Sequence, residues 1–267
     1  MRRNTAMAQD AGLSKNAFPF IRVAPRPPKP RETGLTIVAD RGLGMNRIDD
    51  LVESAGDHID VVKIAIGAWR LQSEAFLKKK IAALKKARIR TFFAGDATEA
   101  AFQQGVSKEF YQAVKKLGAD AVEVSSAQVT MSLNDKCGLI KMAKGSGLNV
   151  VAEAGQKGHE DWTRSLPYVL AQIEAYQKSG AWKVLVQGEG ISEGVAERKE
   201  DLLLNIAARF DIKDLIFQAK DSATQEWFVS TLGNAVNLDV DDHQVLDVEL
   251  MRRGIRKRGV FGLLGSL

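Results

Sequence analysis

Short apolar runs alternate along the chain with longer stretches in which apolar positions recur at helical spacing. Eight runs, three to six residues long and rich in valine, isoleucine and leucine, follow one another. This length and composition are typical of parallel strands that are buried on both faces. The runs occupy residues 35–39, 59–64, 91–93, 121–124, 149–152, 182–186, 214–217 and 235–238.

Amphipathic stretches between the runs, for example residues 74–87, 135–144 and 165–178, predict helices. Eight strand–helix units predict an α/β protein, a single (β/α)₈ TIM-type barrel. The alternative is a doubly wound open sheet, but ADRGLGMN after the first run lacks the third glycine of a dinucleotide-binding turn. We predict a barrel over residues 31–267, preceded at 1–30 by a flexible tail and an extended proline-rich arm (PRPPKP).

Polar residues cluster where the predicted strands end, which is where barrels carry their active sites. We expect four acids to converge on one cavity: Asp40, Asp96, Glu123 and Glu153. Two of them can hold a hard cation such as Mg²⁺. Lys63 interrupts an apolar run and is expected to point into the lumen, where it supplies charge or a shifted-pKa proton. The alternative is a salt-bridged ring that only closes the barrel top.

Composition narrows the class of protein. The 267 residues carry a net charge of +5 and one cysteine, Cys137, which excludes an internal disulfide framework and an all-cysteine metal site. No apolar run approaches the roughly 18 residues that a membrane span requires. The basic residues are dispersed and form no nucleic-acid-binding signature. We therefore expect a cytoplasmic protein that binds neither membrane nor nucleic acid.

Six sequence motifs resemble motifs of the phosphosulfolactate synthase family. They are AFPFIRVAPRPPKPRETGLTIVADRG, IDVVKIAIG, GADAVEVSS, EAGQK, AVNL and RRGIR…FG, in family order from about residue 17 to residue 262. The resemblance implies a (β/α)₈ barrel that forms a homo-oligomer. It implies a carbon–sulfur lyase type of enzyme, which adds sulfite to phosphoenolpyruvate with Mg²⁺ and yields phosphosulfolactate, a coenzyme M precursor.

The resemblance also implies roles for individual residues. Mg²⁺ would be held by Asp40, Glu123 and Glu153. Lys63 and Glu153 would act in catalysis, with Lys157 as the proton donor. The substrate contacts that it implies are Asp40, Arg41, Gln156, Gly188, Gly190, Lys220 and Arg256.

The chain departs from the family pattern at the predicted strand ends. Arg41 replaces a lysine, and Asp96 replaces the threonine of a Gly-Gly-Thr motif. Gln156 replaces the first lysine of a pair, and Glu189 replaces an arginine. These differences leave two alternatives open. One is a diverged barrel enzyme that adds another nucleophile to phosphoenolpyruvate or a related enol phosphate. The other is a non-catalytic member with a stabilising or partner-binding role, as a heat-stress-associated plant branch suggests.

Overall fold

Eight parallel strands close into a barrel in chain order, and the last strand pairs with the first. The computed structural model describes residues 17–18, 20–21, 23–155, 165–258 and 261. The strands are β1 (Thr36–Asp40), β2 (Val61–Ile64), β3 (Arg90–Phe93), β4 (Ala121–Val124), β5 (Asn149–Ala154), β6 (Lys183–Val186), β7 (Leu215–Gln218) and β8 (Leu238–Asp241). The predicted (β/α)₈ barrel is confirmed.

Helices surround the barrel and return the chain from each strand to the next. They are α1 (Met45–Ala55), α2 (Glu74–Lys86), α3 (Gly95–Gln103), α4 (Ser107–Leu117), α5 (Leu133–Gly145), α6 (Leu166–Ser179), α7 (Glu200–Arg209), α8 (Ser222–Leu232) and α9 (Val245–Arg252). The start of α5 is fixed by a capping box, in which Ser132 and Asp135 bond each other's backbone N–H groups. None of the described helices is both long and apolar enough to span a bilayer.

The eighth strand lies three residues later than the sequence predicts. The apolar run 235–238 ends where β8 (Leu238–Asp241) begins. Asn237 precedes the strand. Its side-chain oxygen accepts the N–H of Leu35, and its side-chain nitrogen donates to the carbonyl of Leu215. The strand itself contains two aspartates, which an apolar pattern cannot indicate. Their carboxylates are neutralised by cations of neighbouring segments.

Side chains inside the barrel are apolar in the lower layer and mostly polar in the upper layer. The floor is one cluster of Leu35, Ile37, Val61, Phe92, Ala121, Val151, Leu185 and Ile216. Because side chains alternate along a strand, the residue two positions after a floor residue faces the lumen one layer higher. That position is Lys63 on β2, Glu123 on β4 and Glu153 on β5. The three small residues Ala39, Ala65 and Ala94 form a separate buried cluster and leave space in the upper part of the barrel.

The N-terminal arm covers the end of the barrel at which the strands begin. Residues 23–35 contain no helix or strand. Arg26 pairs with Glu249 at 3.2 Å, and Arg31 pairs with Asp60 at 2.9 Å. The buried Arg252 guanidinium donates to the carbonyl of Leu35 from the same end. Residues 1–16, in which we predict a flexible tail, lie outside the described residues.

Candidate active site

A partly buried lysine joins carboxylates of two non-adjacent strands at the carboxyl end of the barrel. Lys63 Nζ on β2 lies 2.8 Å from Glu123 Oε2 on β4 and 3.6 Å from Asp239 Oδ2 on β8. The two carboxylates are 2% and 1% exposed. Buried charges are stable only when they are paired. The lumen position predicted for Lys63 agrees with this geometry.

The ion pairs continue from Asp239 to the rim of the barrel. Lys220 Nζ lies 2.7 Å from Asp239 Oδ1 and 3.6 Å from Asp241 Oδ1. Arg41, more than half exposed, reaches the same Asp241 oxygen at 3.4 Å. Charges of alternating sign therefore run from Glu123 in the lumen to Arg41 at the rim. We name Lys63, Glu123, Asp239, Lys220 and Asp241 the mouth network.

Burial and neighbouring charges act in opposite directions on the central groups. Burial lowers the pKa of Lys63, but the attraction of Glu123, Asp239 and Glu153 outweighs it, so this pKa is raised overall. Burial raises the pKa of Asp239, but Lys220 and Lys63 outweigh it, so this pKa is lowered overall. Both groups stay charged at neutral pH. Of the two roles predicted for Lys63, the structure favours the fixed charge over the proton donor.

The structure does not bring Asp40 to the other acids. Its neighbour Ala39 belongs to the upper lumen cluster, so alternation turns Asp40 toward the helices. Its Oδ2 lies 2.5 Å from Nζ of Lys80 on α2, and both side chains are fully buried. Its Oδ1 accepts the N–H groups of Gly42 and Leu43. Asp40 therefore fixes the loop after β1, and the predicted contribution to a three-carboxylate magnesium site fails on this geometry.

Two of the three predicted magnesium ligands remain together. Glu123 and Glu153 lie on the adjacent strands β4 and β5 and are 2% and 4% exposed. No group of three or more His, Cys, Asp or Glu side chains within the described residues can hold a metal ion. Mg²⁺ is commonly bound through one or two carboxylates, with water and substrate phosphate oxygens completing its shell. The residues present fit that smaller donor set.

Asp96 lies at the start of α3, beside the mouth network. Its Oδ2 accepts the indole N–H of Trp69 at 3.0 Å. Burial raises the pKa of this carboxyl group, while the Trp69 hydrogen bond and the charges of Arg70 and Lys63 act against the increase. The acid is thus near the lumen, as predicted, but contacts an indole rather than a metal-ligand set.

The loop after β6 folds tightly against β7. The N–H groups of Ile191, Ser192 and Glu193 donate to the carbonyl of Gly188, and the Gly190 N–H donates to the carbonyl of Glu193. A Cβ at Gly188 would lie 2.9 Å from the Glu193 carboxyl carbon and 3.2 Å from the Gln218 Cβ, so a larger residue there would displace these side chains. The Gly188 N–H itself donates to the side chain of Gln218. The two predicted glycines thus shape the mouth, although their N–H groups are engaged internally.

Three predicted site residues are not near the mouth network or are outside the described residues. Arg256 follows α9 and pairs with Asp247. It comes four residues after Arg252, which contacts Leu35 at the end of the barrel where the strands begin, away from the mouth network. The structure does not bring Arg256 to the predicted substrate site. Gln156 and Lys157 fall in the stretch 156–164, which is not described, and their roles stay predictions.

Glu99 on α3 is a site residue that the sequence analysis does not identify. Its carboxylate accepts the N–H groups of Ala127, Gln128 and Val129 at 2.8, 2.6 and 2.8 Å. It also accepts the hydroxyl of Ser125. The loop after β4, which forms part of the mouth, is therefore anchored from within. The only sequence signal is a second acid, three residues after Asp96, among the small residues of GDATEAA.

Comparison with known proteins assigns the fold and the family. Residues 24–258 match the model of the family described as (2R)-phospho-3-sulfolactate synthase (ComA). The phosphosulfolactate synthase of Methanothermobacter thermautotrophicus is 28% identical over 249 residues, which are 90% of this chain and 96% of that protein. That of Methanocaldococcus jannaschii is 31% identical over 233 residues, covering 84% and 93%.

Two further similarities are more distant. Protein HEAT-STRESS-ASSOCIATED 32 of Arabidopsis thaliana is 23% identical over 255 residues, covering 85% of this chain and 88% of that protein. The structure of 3-hexulose-6-phosphate synthase from Salmonella typhimurium has a TM-score of 0.57 at 13% identity, covers 82% of this chain and 99% of its own, and bears on the fold alone. The family match includes all eight strands and the mouth network. The chain belongs to the phosphosulfolactate synthase family.

Proposed function

We propose that the chain is an enzyme that adds sulfite to phosphoenolpyruvate in the presence of Mg²⁺ and produces phosphosulfolactate. The observation that carries this proposal is the family match over residues 24–258. The named synthases of two methanogens align with most of this chain. We propose the cytoplasm as the compartment and a homo-oligomer as the assembly.

The mouth network supplies what such a substrate requires. Phosphoenolpyruvate carries a carboxylate and a phosphate, and both need cations when they leave water. Lys63 is a fixed cation in the lumen, and Lys220 follows it toward the rim. Arg41 is exposed at the rim, where an incoming anion would meet it first.

The proposed reaction forms one bond and moves one proton. The sulfur lone pair of sulfite forms a C–S bond to the methylene carbon. The C=C electron pair moves to the adjacent carbon and into its carboxylate, and a proton added to that carbon completes the product. The phosphate ester stays intact, and no oxidant or reductant is needed. Lys63 would stabilise the negative charge that develops on the carboxylate oxygens, since its ammonium group is already desolvated and held in place.

Glu123 and Glu153 are the residues that would hold Mg²⁺. When bound, the ion would place positive charge beside the same carboxylate oxygens. We retain Lys157 as the proposed proton donor.

The test is an incubation of the purified chain with phosphoenolpyruvate, sulfite and Mg²⁺, followed by ³¹P NMR. We expect a new phosphate ester resonance that needs both sulfite and Mg²⁺. Unchanged phosphoenolpyruvate, from protein shown to be folded by circular dichroism, would contradict the proposal. The next experiments would then replace sulfite with other nucleophiles. If none reacted, a non-catalytic stabilising or partner-binding role would become the better account.

A further inference from the structure

Gln187 lies one residue beyond β6, on the side of the chain that faces the lumen. Its N–H donates to the carbonyl of Ala154, so the strand pairing continues through this position. Leu185, two residues earlier, is part of the lumen floor. Alternation therefore places the Gln187 side chain in the upper layer, beside Glu153 of β5.

Gly155 creates the space that this side chain occupies. Its φ of +91° is unfavourable for a residue with a side chain. A Cβ built there would lie 3.1 Å from the Cβ of Gln187. The N–H of Gly155 is held by the Gln172 amide oxygen at 2.8 Å. The backbone is thus fixed in the form that admits a large side chain at position 187.

The amide of Gln187 is buried and has no partner within the described part of the chain. Its exposed fraction is 0%, and neither Oε1 nor Nε2 forms a hydrogen bond with a described residue. Buried amides in native proteins are almost always hydrogen-bonded. An amide that is buried in the upper layer of the lumen, with no partner among the described residues, indicates a group that a bound molecule completes.

Charge indicates which kind of molecule this is. Apart from Asp241, which pairs with Arg41 at the rim, the mouth network and Glu153 supply two lysines, Lys63 and Lys220, and three carboxylates, Glu123, Glu153 and Asp239. Two positive and three negative formal charges leave one negative charge before any cation binds. The Gln187 amide adds no charge to this set, and its N–H₂ group can donate hydrogen bonds to an anionic oxygen.

We propose that Gln187 is a substrate-binding residue whose amide nitrogen donates to an anionic oxygen of the substrate. This inference rests on the proposed function, because it takes phosphoenolpyruvate as the ligand.

The test is calorimetric titration of the full chain with phosphoenolpyruvate in the presence of Mg²⁺. We expect Gln187→Met to bind about tenfold more weakly than the wild type, as the loss of one hydrogen bond to a charged group implies. The matched control is Thr36→Val, which removes another buried, unpartnered polar atom near the opposite end of β1. Its affinity should equal that of the wild type.

A second readout needs no stable variant. In ¹⁵N-labelled wild-type protein, the side-chain amide signal of Gln187 should shift when phosphoenolpyruvate is added. Equal affinities of the wild type and Gln187→Met, or an amide signal that does not move while calorimetry reports binding, would overturn this inference alone. A wild-type protein that binds no phosphoenolpyruvate would overturn the proposed function and this inference together.

Discussion

Replacing Lys63 with methionine removes the central cation of the mouth network and keeps an aliphatic stem of similar length. The lost ammonium group lies 2.8 Å from Glu123 Oε2 and 3.6 Å from Asp239 Oδ2. Asp239 keeps Lys220 at 2.7 Å, but Glu123 loses its cation. Removing one partner of a buried ion pair costs about 3–5 kcal/mol. We expect about 3 kcal/mol at pH 7, the lower end of this range, since only one of the two carboxylates is left without a cation.

The pKa shifts of Lys63 and Asp239 set the pH range over which the wild type keeps their contributions to stability. The raised pKa of Lys63 means that its contribution is complete below the pKa of an unfolded lysine and is lost only at strongly alkaline pH. The lowered pKa of Asp239 means that its contribution is complete above the pKa of an unfolded aspartate and is lost only in strong acid. The wild type therefore keeps both contributions between about pH 5 and pH 9. Between pH 7 and pH 5 these two groups therefore add no pH dependence to the stability of the wild type.

The assay is urea unfolding of both proteins at pH 7 and pH 5, followed by tryptophan fluorescence. The matched control combines Lys63→Met with Glu123→Gln, which removes both charges of the closest pair. This double variant should recover part of the lost stability, because it leaves no uncompensated carboxylate at position 123. A single variant as stable as the wild type at pH 7, or a double variant no more stable than the single one, would refute the reasoning.

Three further changes probe the segments that support the mouth. Glu99→Gln should destabilise the loop after β4, because an amide group replaces the carboxylate that accepts its N–H groups; faster hydrogen exchange at residues 127–129 checks this, and unchanged exchange contradicts it. Lys80→Met leaves the buried Asp40 carboxylate without its cation and should cost about 3–5 kcal/mol in urea unfolding, whereas a loss within error would count against the pair. Gly95→Ala places a methyl group 1.9 Å from the Ser125 hydroxyl and should lower the thermal midpoint, and adding Ser125→Gly should restore it.

The sequence is sufficient to predict the barrel, because the fold is reflected in the regular alternation of apolar runs and amphipathic helices. Seven of the eight predicted runs overlap the observed strands by three residues or more. The sequence indicates that Lys63 and Glu123 face the lumen, because each is a charged residue within an apolar run. In the structure the two side chains meet there. The eighth strand was displaced because its aspartates lack the apolar signature, and their cations come from other segments of the chain.

The site prediction is wrong where it depends on which face of a strand a residue occupies. The run LTIVA contains no charged residue and has apolar residues on both faces of the strand, so its pattern does not indicate which residues face the lumen. The acid that follows it, Asp40, lies on the helix side and pairs with Lys80, which the sequence presents as one of three consecutive surface-like lysines. Glu99 bonds a loop 28–30 residues away, a contact for which local sequence gives no indication.

Product analysis in D₂O tests the central claim most directly. The purified chain would be incubated with phosphoenolpyruvate, sulfite and Mg²⁺, and the products examined by ³¹P NMR and mass spectrometry. The account predicts a sulfonated phosphate ester that carries one deuterium, on the carbon that bears the phosphate. Intact phosphoenolpyruvate from folded protein, or release of inorganic phosphate in place of the ester, would contradict it.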